Sequence, residues 1–161
     1  MLIQLKKGRD GPSTLACVRP DGSCTWAKEH PFFPLHDLTH FAVESVLGFE
    51  EAFFGLLAAG WEIDDFANPG ARARMPHQAL LAEHIVGVLD RERALPRPMT
   101  AAEVNEAVAA SLPLRSGESC PAITDAQLEA IRVLWQDLAA RWRQLAAGGT
   151  LEIPFSARAA A

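Results

Sequence analysis

Cysteine is scarce in this chain. Only Cys17, Cys24 and Cys120 occur in 161 residues. No pair of them has zinc-ribbon spacing, so neither a disulfide framework nor a thiolate metal centre is expected. Long apolar runs are missing too: no uncharged stretch approaches the roughly 18 residues needed to span a bilayer. Positive charge is in deficit, with 15 lysines and arginines against 20 aspartates and glutamates and a net charge of −5. That removes any general electrostatic reason to hold nucleic acid. The Gly-x-Ser-x-Gly elbow of the hydrolases is absent, and Gly148-Gly149 lacks the lysine and following helix of a phosphate loop. Met-Leu-Ile-Gln-Leu precedes Lys6 and Lys7, the reverse order of a secretory signal, so the expected location is cytoplasmic, with reduced thiols.

What is present is a globular composition, 49% hydrophobic and 22% charged, in a length that suits a single domain over 1–161. The expected fold class is α+β: residues 1–30 mostly β, 35–147 mostly α, and a strand over 150–155. Residues 2–6 read as a strand, and 13–19 with 23–28 as a hairpin around Arg19-Pro20-Asp21-Gly22-Ser23. That turn suits type I geometry with a glycine bulge, which pairs Arg19 with Ser23 and Val18 with Cys24 and sends Cys17 and Cys24 to opposite faces. A two-residue Asp-Gly turn would instead set them diagonally on one face.

Helices follow at about 35–47, 49–59, 76–93, 100–112 and 124–147. Gly48, Gly60 and Gly148-Gly149 serve as stops, and capping boxes start the last two at Thr100/Glu103 and Thr124/Gln127. Residues 61–74 and 113–122 read as loops, and 157–161 as a frayed tail. The last strand is expected to return to the N-terminal sheet, giving a small antiparallel sheet with four or five helices.

The chemistry concentrates in Leu35-His36-Asp37-Leu38-Thr39-His40-Phe41-Ala42-Val43-Glu44. His36 and His40 are four apart, so on a helix they share one face about 6 Å apart, the spacing by which two imidazoles meet one metal ion. At about 100° per residue, Leu35, Leu38, Phe41, Ala42 and Val46 form one apolar arc, and the histidines share a second stripe with Val43 and Leu47. Such a helix is central, and its histidines need partners. The alternative is a pair of core histidines bonded to backbone or carboxylates.

Two histidines do not complete a site. Glu51, read at the start of the second helix, is one candidate ligand, although a carboxylate stabilising the helix N-terminus fits it equally. His84, inside the apolar stripe of Leu80, Leu81, Ile85, Val88 and Leu89, is another, with a satisfied core histidine as its alternative. The adjacent Glu83 reads as solvated. Asp37 and Glu44 are candidates for orienting or base groups around an activated water. A metalloprotease helix would need glutamate where Asp37 stands.

The run His36-Asp37-x-x-His40 followed by a glutamate resembles the zinc motif of the Coq-four family of coenzyme Q biosynthesis proteins, helical proteins in which the histidines, the aspartate and a downstream glutamate surround a metal. The resemblance implies metal roles for His36, Asp37 and His40. The family glutamate falls at Ala52, one residue after Glu51. The longer Leu-His-Asp-Leu-Thr-His run also resembles small uncharacterised bacterial proteins.

Two functions are open at this stage. One is a metal-binding protein, with zinc or another divalent ion held by His36 and His40 and completed by His84 or Glu51, acting as a hydrolase or lyase on a small molecule. The other is a non-catalytic binding or scaffold module with structural histidines. There the stripe of Leu128, Ile131, Trp135, Leu138, Trp142 and Leu145 would be a homodimer face or ligand groove, unless it is simply core. Phe32, Phe33, Phe53, Phe54 and Trp61 fit either a pocket wall or ordinary core packing.

Overall fold

A computed structural model describes residues 1–30, 32–112 and 120–156. Its four strands are β1 (Leu2–Lys6), β2 (Ser13–Val18), β3 (Cys24–Glu29) and β4 (Thr150–Pro154). They form one antiparallel sheet in the order β3-β2-β1-β4. The α-helical segments are α1 (Phe33–Leu47), α2 (Phe53–Ala58), a single turn α3 (Ala71–Arg74), α4 (His77–Glu92), α5 (Ala101–Ser111) and α6 (Asp125–Gln144). The fold is α+β, as the sequence leads one to expect.

Alternation sets the sheet. Ile3, Leu5, Leu15, Cys17, Leu151 and Ile153 are buried on one face, while Gln4 and Glu152 meet on the other. The turn is the bulged form: the Arg19 N–H donates to the Ser23 carbonyl at 2.8 Å and Val18 pairs with Cys24. Cys17 is accordingly buried and Cys24 exposed, both as free thiols. Both capping boxes are formed, at Thr100/Glu103 and at Thr124/Gln127.

Helix α1 is the centre of the molecule. Every residue from Asp37 to Glu44 is buried. Leu38 and Phe41 join a cluster with the sheet, α2 and Trp142 of α6, while Ala42 and Val43 join a second cluster built on α4, α5 and Leu128 and Ile131 of α6. A helix packed on both sides in this way has no wide polar face, which is why its histidines lie inside.

Some boundaries differ from the sequence reading. The second helix starts at Phe53 rather than Phe49, because an interior carboxylate described below supplies its cap. The stretch 61–74 is not all loop: it holds a 3-10 helix, Ile63–Ala67, and α3. Buried Arg19 ties this region to the sheet, donating from Nε to the Leu57 carbonyl at 2.7 Å and from Nη2 to the Trp61 carbonyl and Glu62. The Thr25 hydroxyl accepts from the Ile63 N–H at 3.0 Å. Most of the expected 113–122 loop and the tail at 157–161 lie outside the described residues. No helix among the described residues is long and apolar enough to cross a membrane.

Candidate metal centre

His36 and His40 sit one turn apart on α1, and their Nε2 atoms approach to 3.2 Å. From α4, Glu83 brings Oε1 to 3.3 Å from His40 Nε2. One ligand atom from each of the three lies within 4.8 Å of the others. Zinc–nitrogen bonds of about 2.0–2.1 Å at the tetrahedral angle put neighbouring ligand atoms about 3.3 Å apart. The two shorter separations are of that size.

The far side of each ring is also directed. His36 Nδ1 lies 2.6 Å from Asp90 Oδ2. Asp90 is held in turn by the Thr39 hydroxyl at 3.1 Å and by Arg93, and the Arg93 guanidinium lies over the Trp135 ring with its carbon 4.1 Å from the centroid. The Asp90 carboxyl stays below its ordinary range: burial raises it, but the His36 bond, the Arg93 charge and the Thr39 bond together outweigh burial. With His36 donating from Nδ1 to Asp90, its Nε2 is the ring nitrogen directed at His40.

His40 is almost fully enclosed. Its Nδ1 has no hydrogen-bond partner, and Glu44 Oε1 stands 3.8 Å away. Burial, and then the neighbouring His36, push its pKa down to about 3. The ring is neutral near pH 7, the form that ligates a metal.

Glu44 has a different duty from a base. Its Oε1 accepts from the Phe54 N–H and its Oε2 from the Gly55 N–H, both at 3.1 Å. It caps α2 from another helix, satisfying donors that the helix itself leaves open. Burial raises its pKa to about 8, with the two backbone bonds acting against it. Gly55 is required here for space, since a Cβ would sit 2.2 Å from the Glu50 carbonyl oxygen.

Asp37 is buried and faces a cleft of about 640 Å3 that also receives His36, His40, Glu83 and Glu29. Burial pushes the Asp37 carboxyl well above its ordinary range, and contact with Glu29 adds to it. Burial raises Glu29 as well.

The remaining candidates are placed elsewhere. Glu51 is exposed, with its N–H on Gln78 Oε1 at 2.5 Å. The N–H groups at the start of α2 are met by Glu44, and Glu51 lies outside the group formed by His36, His40 and Glu83. His84 lines the cleft, but its Nδ1 lies 2.9 Å from the Ser111 hydroxyl and it stands outside the ligand cluster. Glu83, read as solvated, is instead the third member of the group that could hold an ion; it is 46% exposed and lines the cleft. Asp90 and Glu29 carry no motif of their own. The available signal was spacing: Glu83 and Asp90 are seven apart on one face of α4, the stripe that an antiparallel partner presents to His40 and His36.

Aromatic rings close the cleft. Phe53 packs on the His40 ring at 5.4 Å between centroids and on Phe66 at 4.8 Å, and Phe33 meets His36 at 5.9 Å. No family model, curated protein or solved structure matches this chain.

Proposed function

We propose that this chain binds one divalent metal ion, zinc in the first instance, through His36, His40 and Glu83, and uses it on a small molecule in the adjoining cleft, in hydrolysis or lyase chemistry. The observation that carries the reading is the convergence of one ligand atom each from His36, His40 and Glu83 within 4.8 Å, with each Nδ1 turned toward an acidic side chain. Two histidines and one carboxylate are a three-ligand set that leaves a coordination position for water or substrate. When bound, such an ion supplies Lewis acidity and an acidified water.

The chain's own residues do the rest. Asp90 fixes the His36 tautomer, and Arg93 and Thr39 fix Asp90. Glu44 sets the depth of His40 by locking α1 to the start of α2; it is a positioning residue, since it does not line the cleft. Phe33, Phe53 and Phe66 exclude water from one side of the cluster. Half-exposed Glu83 keeps the opposite approach open to solvent.

Cobalt substitution tests this reading. Metal-free protein given one equivalent of cobalt(II) is expected to develop the visible d–d bands of a four- or five-coordinate site, and these bands are expected to shift on adding azide. Their absence, or their presence unchanged in Glu83→Gln, overturns the proposed ligand set. Bands that ignore azide overturn the open position.

A further inference from the structure

The metal cluster accounts for one part of the cleft and leaves most of its wall unexplained. Phe33 of α1, Phe53 of α2, Ile63 and Phe66 of the 3-10 helix and Met75 just ahead of α4 come from four separate stretches of chain, and all line the cleft. Phe33 is 46% exposed, and the other four are half-buried. Other large apolar side chains of the same region, Phe41, Phe54 and Phe155, are buried in the core. The cleft wall is also continuous with the cluster. Phe53 lies on the His40 ring, Phe66 on Phe53, and Phe33 on the His36 ring. A concave apolar surface that begins at the ligating side chains marks a place for a ligand rather than a flaw in packing.

The polar members of the lining are engaged elsewhere. The Glu29 and Asp37 carboxyls hydrogen-bond each other, so a proton between them answers the pair. Glu83 belongs to the cluster, His84 is held by Ser111, and Lys28 alternates to the exposed face of β3. The apolar wall thus selects for an uncharged body, and a carboxylate carried into it would lose its water without gaining a donor. Size is the remaining constraint. A cavity of about 150 Å3 takes one benzene ring. The cleft, at about 640 Å3, has room for a body of roughly eight to ten carbons beside a head group at the cluster.

We propose that the substrate is an uncharged acyl compound with an apolar body, its carbonyl end facing His36, His40 and Glu83 and its body lying along Phe53, Ile63, Phe66 and Met75. This deepens the metal reading by naming the substrate class, and it rests on that reading for the placement of the head. The apolar body is read from different side chains.

Three hydroxamates with one metal-binding head and different bodies test this: acetohydroxamate, octanohydroxamate and suberate monohydroxamate, titrated calorimetrically into zinc-loaded protein. Octanohydroxamate is expected to bind at least about thirtyfold more tightly than acetohydroxamate, less than half the free-energy gain of six fully buried methylenes. It is expected to bind at least about tenfold more tightly than suberate monohydroxamate, whose body of similar length ends in a carboxylate. Phe66→Ala is expected to shrink both preferences and leave acetohydroxamate binding unchanged; should it misfold, Met75→Glu gives the same answer. 1-Octanol and 1,8-octanediol, titrated into metal-free protein and into His36→Ala/His40→Ala, read the cleft without the ion, and octanol is expected to bind the more tightly in both. Acetohydroxamate binding with no gain from the octanoyl body overturns the proposal and leaves the metal reading standing. So does an octanoyl gain that survives both Phe66→Ala and Met75→Glu. Failure of every hydroxamate, with octanol still preferred, overturns the metal reading and the acyl head while the apolar body stands. Equal binding of octanol and the diol overturns the apolar body.

Discussion

His36 and His40 point the same nitrogen at the same place: their Nε2 atoms are 3.2 Å apart, while each Nδ1 is turned away toward a carboxylate, Asp90 at 2.6 Å and Glu44 at 3.8 Å. In a core pair held only by hydrogen bonds, two ring nitrogens at this distance must share one proton, and the inner Nδ1 of His40 is left without a bond. A metal ion removes the first problem, since it takes two lone pairs at once, and it leaves the His36 Nδ1 proton on Asp90's side.

Asp90 bonds His36 Nδ1, so in the proposed site it would act on a bound ion through His36 without touching it. Asp90→Asn is expected to weaken zinc binding by about 10- to 100-fold, the usual cost of losing such a partner. Competition with a chromophoric chelator measures this. Unchanged affinity would mean that the Asp90–His36 bond serves only packing.

Ligand binding to the folded state alone raises its stability. Zinc at about a hundredfold excess over its dissociation constant is expected to add about 2.7 kcal/mol, visible as a higher Tm that a chelator reverses. His36→Ala/His40→Ala is expected to show no such rise.

The two buried groups beside the cluster predict opposite pH responses of the metal-free protein. The folded-state pKa of His40 is depressed, from 6.5 to about 3. Its stabilisation is therefore complete above the unfolded value and is lost as pH falls from about 6.5 toward 3. Glu44 is raised, from 4.5 to about 8, so its contribution is complete below about 4.5 and is lost as pH rises through 8. Urea unfolding across this range is expected to show His40→Gln flattening the acid limb and Glu44→Gln flattening the alkaline limb.

Arg19 anchors the segment that carries the outer wall of the cleft. Arg19→Met removes its bonds to the Leu57 and Trp61 carbonyls and is expected to cost about 3 kcal/mol in urea unfolding, since a charged donor's buried acceptors are left open.

Local signals made much of this fold legible. The alternation of Ile3 and Leu5, the Asp21-Gly22 turn and the boxes at Thr100 and Thr124 each act within a few residues, so the strands, the bulged hairpin and the starts of α5 and α6 are read directly. The histidine pair was legible for the same reason, because an i, i+4 spacing needs only a helix. What the sequence hides is what depends on partners distant in the chain. Glu83 and Asp90 are ordinary surface acids until α4 is laid beside α1, and Glu29 is an ordinary strand residue until β3 faces Asp37. Glu51 reads from the sequence as a ligand or, equally, a cap, and the cap that α2 has, Glu44, arrives from another helix. His84 sat on the apolar stripe as expected, yet Ser111 of α5 takes its ring.

The most direct measurement is metal content by plasma mass spectrometry on untagged protein, beside the His36→Ala/His40→Ala variant. About one divalent ion per chain in the parent, lost in the variant, is the predicted result. No metal in either protein, after supplementation and dialysis, would contradict the account and leave His36 and His40 as core histidines.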